Sequence, residues 1–121
     1  MGNLTASLED YLEVICNYSN LDTNVRAIDI SKELNVSRAS VTEALKKLAS
    51  KGYINYGRYD SISLTNEGKN IAQDIISKHT TLQLFFEKIL GLSEKEASEN
   101  ACKIEHVITE QAYLKIAEYI K

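Results

Sequence analysis

Proline and tryptophan are absent from this chain, and glycine occurs only five times in 121 residues. Proline removes a backbone donor and glycine loosens the chain, so helices here meet few interruptions. Cysteine is nearly absent too, with Cys16 and Cys102 making up the whole complement. Two cysteines cannot build a disulfide framework, and a reduced, cytoplasmic setting is expected. No apolar run approaches the roughly 20 residues of a membrane-spanning helix, so no membrane partner is expected. The first ten residues lack a basic stretch and an apolar core, and no signal peptide is expected. Residues 1–25 hold four acids and no Lys or Arg.

What is present is ordinary for a water-soluble fold: 44% hydrophobic residues, enough for one compact domain or two small subdomains. The formal charge of −3 argues weakly against nucleic acid, but its distribution argues the other way. Residues 26–69 carry eight basic and five acidic side chains, whereas residues 70–121 carry six and eight. A basic middle between acidic ends is compatible with a central DNA-binding segment.

Thr5 and Ser7 offer N-caps for a first helix whose apolar stripe is Leu8, Tyr11, Leu12 and Ile15. A polar loop follows over residues 17–24. Ile28, Ile30, Ser31 and Leu34 fit a short helix with a buried side. Asn35 suits a left-handed turn, and Val36 would plug the core. Ser37 caps a second helix with Val41, Ala44, Leu45 and Leu48 inward and Gly52 just past its end. This is a helix-turn-helix pattern. The outward residues Ser37, Arg38, Ala39, Ser40 and Thr42 suit entry into a major groove, being small, hydroxylated or cationic. Residues 53–64 alternate around a Gly/Asp/Ser centre and read as a β-hairpin, a wing with Arg58 at its tip. Arg26, Lys46 and Arg58 are the expected phosphate contacts.

Thr65 caps a long helix from about Glu67 to Leu90, with Ile71, Ile75, Leu82, Phe85, Phe86, Ile89 and Leu90 as its apolar positions. Ser93 and Glu96 form a capping box for a helix expected to run to Val107. Thr109 caps a last helix, with Ala112, Tyr113, Ile116, Tyr119 and Ile120 expected to face inward. The segment Ala101-Cys102-Lys103-Ile104-Glu105-His106 carries a thiolate, a carboxylate and an imidazole at steps of three and four, on one helical face. That set suits a transition metal, the carboxylate favouring Mn or Fe. An amphipathic helix with a buried Cys and two solvated polar residues would read the same way. Taken alone, Asp10 and Glu13 read as solvated acids and His79 as a structural or solvated histidine. An enzyme is not expected. Glu105-His106 matches part of an inverted zinc-protease motif, but Cys102 stands where its His is required. No segment supplies a nucleophile, an oxyanion hole or a phosphate-binding loop.

Ser-Leu-Glu-Asp-Tyr-Leu-Glu, Val-Ser-Arg-Ala-Ser-Val-Thr, the wing ending Leu-Thr-Asn-Glu-Gly-Lys, the later Lys-His and Ala-Cys-Lys-Ile-Glu-His-Val-Ile together resemble the diphtheria toxin repressor family, which includes the manganese transport regulators. The resemblance covers nearly the whole chain in order. It implies a mainly α protein with a small β-hairpin wing: a winged helix-turn-helix (residues 1–65) followed by a helical metal-binding and dimerisation domain (residues 66–121). Carried over by position, Asp10, Glu13, His79, Glu105 and His106 match ligands of the manganese branch. Cys102 stands where that branch often has Glu and where the iron-responsive branch has Cys, which makes the implied site a hybrid. Gln83 and Ser98 occupy two positions of the iron branch's ancillary site, which implies that this site is absent or altered. The implied function is a homodimeric, metal-dependent repressor of metal-homeostasis genes. It would act on near-palindromic double-stranded DNA, with Mn(II) or Fe(II) as corepressor and Zn(II) or Co(II) able to bind in vitro. The rival reading is a winged-helix regulator not controlled by metal.

Overall fold

The computed structural model describes residues 4–21 and 24–120, with Asp60 described through its backbone alone. Met1, Gly2, Asn3, Asp22, Thr23 and Lys121 lie outside the described residues, and so does that part of the expected 17–24 loop. The described elements are α1 (Ala6–Asn20), α2 (Ala27–Leu34), α3 (Arg38–Ser50), β1 (Ile54–Tyr56), a 3₁₀ turn (Arg58–Asp60), β2 (Ile62–Leu64), α4 (Asn66–Lys88), α5 (Glu94–Ile104) and α6 (Glu110–Tyr119). They fall into two compact units, Met1–Gln73 and Asp74–Lys121, divided within α4.

In the first unit, local chemistry sets each helix end. Thr5 is extended and its Oγ1 accepts from the Leu8 N–H, opening α1. Tyr11, Leu12, Val14, Ile15 and Cys16 are buried on that helix. The α2–α3 turn is made by Asn35 at φ 55°, ψ 51°, and the Ser31 hydroxyl donates to the Val36 carbonyl at 2.6 Å. Ile30 is fully buried, as expected, but Ile28 is exposed. Ala27 and Ile30 carry the buried side of this short helix, and Ile28 projects away from it. Ser37 then caps α3 by accepting from the Ser40 N–H at 3.0 Å. Gly52, at φ 82°, ends the helix in a Schellman motif: its N–H reaches the Ala49 carbonyl and that of Tyr53 reaches Leu48, both at 3.0 Å.

Strands β1 and β2 pair antiparallel, with Ile54 opposite Leu64 and Tyr56 opposite Ile62. Tyr59 sits at the wing tip in the left-handed region (φ 60°) and is 99% exposed. Thr65 ties the wing's exit to two helices. Its Oγ1 donates to the Gly52 carbonyl at 2.7 Å and accepts from the Gly68 N–H at 3.0 Å. Gly68 has to be glycine, because a Cβ there would meet the Tyr53 carbonyl oxygen at 1.9 Å.

In the second unit, Ser93 and Thr109 cap α5 and α6 by accepting from the Glu96 and Ala112 N–H groups. Helix α5 ends at Ile104, three residues before the expected Val107. The Val107 and Ile108 N–H groups both turn to the Ile104 carbonyl at 2.9 Å, closing a tight turn. The β-branched run Val107-Ile108-Thr109 has poor helix propensity, which favours that stop. Helix α6 also departs from expectation, since it buries none of its residues. Tyr113, Ile116 and Ile120 are half-buried, but Ala112 and Tyr119 are exposed. Among the described residues its apolar stripe is covered only in part.

Candidate metal centre and nucleic-acid interface

Helix α3 presents Ser37, Arg38, Ala39, Ser40 and Lys46 to solvent, with Arg58 exposed at the wing tip. The hydroxyls are already partly engaged. Ser37 Oγ lies 3.0 Å from Ser40 Oγ, and half-buried Thr42 donates to the Arg38 carbonyl at 3.1 Å. The Thr42 proton is therefore turned to its own helix. Arg26, just before α2, is exposed and its Nε lies 3.6 Å from Asp29. An exposed pair of this kind is worth under about 1 kcal/mol, so the guanidinium can exchange partners cheaply. Arg26, Arg38, Lys46 and Arg58 all belong to the first unit and all reach water. Such a surface can neutralise a polyanion.

The donor-rich residues divide between the units. Asp10 and Glu13, one helical step of three apart on α1, are both half-buried instead of fully solvated. In the second unit, the three residues expected on one face part company: Cys102 stays with His106, and Glu105 pairs with His79. Cys102, exposed on the last turn of α5, places its sulfur within 4.8 Å of a His106 ring nitrogen. Metal–sulfur and metal–nitrogen bonds of about 2.3 and 2.0 Å could take up such a pair with small side-chain motion. Glu105, at the cap of α5, is 4% exposed and turns instead to α4, where its Oε1 lies 2.9 Å from His79 Nδ1. In the neutral tautomer whose Nδ1–H donates to this carboxylate, Nε2 keeps its lone pair. Ser98 Oγ lies 3.4 Å from that Nε2. A carboxylate behind an imidazole fixes its tautomer and raises its basicity as a ligand.

Beside this pair lies an open depression of about 750 Å³ lined by His79, Gln83, Ser98, Glu99 and Cys102, among others. The Gln83 amide donates to Glu87 at 2.9 Å, and Gln83 and Ser98 line this depression with neutral polar groups. Lys78 pairs with Glu110 at 3.6 Å and lies 5.6 Å from the Tyr113 ring centre, linking α4 to α6. The His79–Glu105 pairing joins residues 26 apart, which no local spacing could reveal. Cys16, in contrast, is buried in the first unit. Burial pushes its thiol up from the ordinary range, the Glu13 charge adds to this, and Lys69 and the Asn20 amide oppose it.

Two family models match the chain in tandem. Residues 3–62 match the N-terminal DNA-binding domain of iron-dependent repressors, and residues 65–121 match the metal-binding and dimerisation domain. An uncharacterised helix-turn-helix-type transcriptional regulator of Methanocaldococcus jannaschii is 42% identical over 111 residues, covering 89% of this chain and 87% of that protein. The transcriptional regulator MntR of Oceanobacillus iheyensis is 30% identical over 116 residues, covering 96% and 78%. Among solved structures, IdeR of T. acidophilum superposes with a TM-score of 0.83 at 28% identity. That match covers 99% of this chain but 55% of IdeR, so the chain spans about half of that protein's length. Among the described residues, no helix is long and apolar enough to cross a membrane.

Proposed function

The chain belongs to the iron-dependent repressor family, whose members are metal-dependent transcriptional repressors, and from that premise we propose that Mn(II) or Fe(II) switches this chain's affinity for operator DNA. The observation that carries the reading is the pair of donor sets in the second unit, His79 with Glu105 and Cys102 with His106. Thiolate, imidazole and carboxylate together match Mn(II), Fe(II), Co(II) and Zn(II), with Zn(II) binding tightly in vitro whatever the cell supplies. The ligand set we assign is Asp10, Glu13, His79, Cys102, Glu105 and His106. Bound there, a dication supplies positive charge to a cluster of acids and makes their convergence favourable.

The chain's own residues do the rest. Glu105 orients the His79 ring, and the α5 cap holds Glu105 in place. Asp10 and Glu13 share α1 with residues of the helix-turn-helix core, so holding the acids holds that helix. The chain acts in the cytoplasm as a homodimer through α6 and the end of α4, whose apolar side chains are exposed. Two-fold symmetry then requires a near-palindromic operator. Ser37, Arg38, Ala39, Ser40 and Thr42 meet base edges and neighbouring phosphates, while Arg26, Lys46 and Arg58 meet phosphates. Metal and DNA are reciprocally linked, so each tightens the other by one common factor.

The test is fluorescence anisotropy on an operator selected from random duplexes, with Mn(II), Fe(II) or a chelator present. Metal should raise DNA affinity by roughly 5- to 150-fold, the usual range of such coupling. Replacing Glu105 by Gln or His106 by Ala should abolish that gain without altering the fold measured by circular dichroism. Equal affinity with and without every metal sinks the reading in favour of a winged-helix regulator that metal does not control.

A further inference from the structure

The outward face of α3 has a carboxylate at its centre. A helix turns 100° per residue. The buried residues Val41, Ala44, Leu45 and Leu48 define one side, and Ala39, Glu43, Lys46 and Ser50 lie diametrically opposite. Glu43 is exposed, follows Ala39 by four and Ser40 by three, and among the described residues makes no ion pair. Lys46 and Lys47, three and four positions on, are exposed as well. The Ala39 methyl, the smallest neighbour on this face, leaves the Glu43 side chain room to extend.

A surface that only grips phosphates gains nothing from a carboxylate in its middle. Two like charges 4 Å apart repel by about 1 kcal/mol even in bulk water, and by more where water is excluded. The charge is tolerated only if the groove gives it donors. Of the four bases, cytosine alone presents a major-groove amine with no acceptor beside it on the same base. Adenine sets N7 next to its amine, guanine offers N7 and O6, and thymine offers O4 and a methyl. Resting on the DNA-binding reading above, we propose that Glu43 is a specificity-determining residue that accepts a hydrogen bond from a cytosine N4 amine. It does so once in each half-site, while Lys46 and Lys47 neutralise the flanking phosphates. Guanine at that position is rejected by acceptor facing acceptor.

The experiment is a selection from random duplexes with the full chain and Mn(II), run for the wild type, E43Q and E43A, followed by anisotropy on single-base variants. The wild type should enrich cytosine at one symmetric position, and guanine there should weaken binding by roughly 5- to 150-fold. E43Q should move that preference to adenine, because an amide both donates and accepts. E43A should lose the preference, binding the cytosine site more weakly and the guanine variant more tightly than the wild type does. Because Glu43 is exposed, all three proteins should unfold at the same temperature. An unchanged base profile in both variants overturns the proposal, as does a uniform change in affinity with no change in profile. Enrichment of no sequence by the wild type, with Mn(II), Fe(II) or Zn(II), overturns the DNA-binding reading itself and this inference with it.

Discussion

The two units treat the same helical pattern in opposite ways. In residues 1–73, Leu12, Ile15, Ile30, Val41, Leu45 and Leu48 are all essentially inaccessible to water. In residues 74–121, Leu84, Ile89, Leu90, Val107, Leu114 and Tyr119 are exposed, and the full burial belongs largely to Leu82 and two alanines, Ala97 and Ala101. Both units are built from amphipathic helices with side-chain caps. What differs is the supply of covering surface. The first unit brings three helices and a hairpin around one core, whereas the second has little beyond α5, α6 and part of α4. Contiguous exposed apolar surface on a small unit marks a place where another molecule belongs, and the apolar groove lined by Phe85, Ile89, Ile116 and Tyr119 fits the second copy of this chain that we propose.

That contrast can be broken by one matched pair of substitutions. Leu45→Ala opens a cavity in a closed core and should cost about 3 kcal/mol of unfolding free energy at every protein concentration. Leu114→Ala, more than half exposed, should leave the chain's own unfolding almost unchanged. Its expected effect is on dimer dissociation, weakened about tenfold, or 1.4 kcal/mol, and readable by sedimentation only as a concentration dependence. If both variants lose the same stability at all concentrations, the second unit is as self-sufficient as the first and the comparison collapses.

Thiol labelling sharpens the same contrast with a smaller effect. Cys102 is exposed and should react readily with a maleimide at neutral pH. Cys16 is buried, and its raised pKa means less thiolate at any given pH than an ordinary cysteine has, so its labelling should wait for more alkaline pH or for unfolding. Adding Mn(II) or Fe(II) should protect Cys102 and leave Cys16 as silent as before. Labelling of Cys102 that is indifferent to metal would remove it from the ligand set.

How much was legible in the sequence follows the same division. Helix starts at Thr5, Ser37, Ser93 and Thr109 could be read directly, because a cap is a bond between residues three apart. The left-handed Asn35 and Gly52 could be read for the same reason. The outward display of α3 followed from its periodicity. The covering of α6 did not, because a hydrophobic stripe states that something must cover it and not whether that something is the same chain. The parting of Glu105 from Cys102 and His106 was also hidden. It depends on where α5 stops and on His79, far away in sequence, and no local pattern carries either.

Gly68 has a consequence that belongs to genetics more than to mechanics. Every single-nucleotide missense change in a glycine codon introduces a side chain with a Cβ, and at this position any Cβ meets the carbonyl of Tyr53. At Gly52 the obstacle is different. Nothing lies within 4 Å of a Cβ there, and only the left-handed backbone resists substitution, so asparagine should pass. In a saturation scan scored for survival, position 68 should be a column with one permitted letter and position 52 a column with two. The joint between wing and long helix should therefore be the less forgiving of the two turns to substitution.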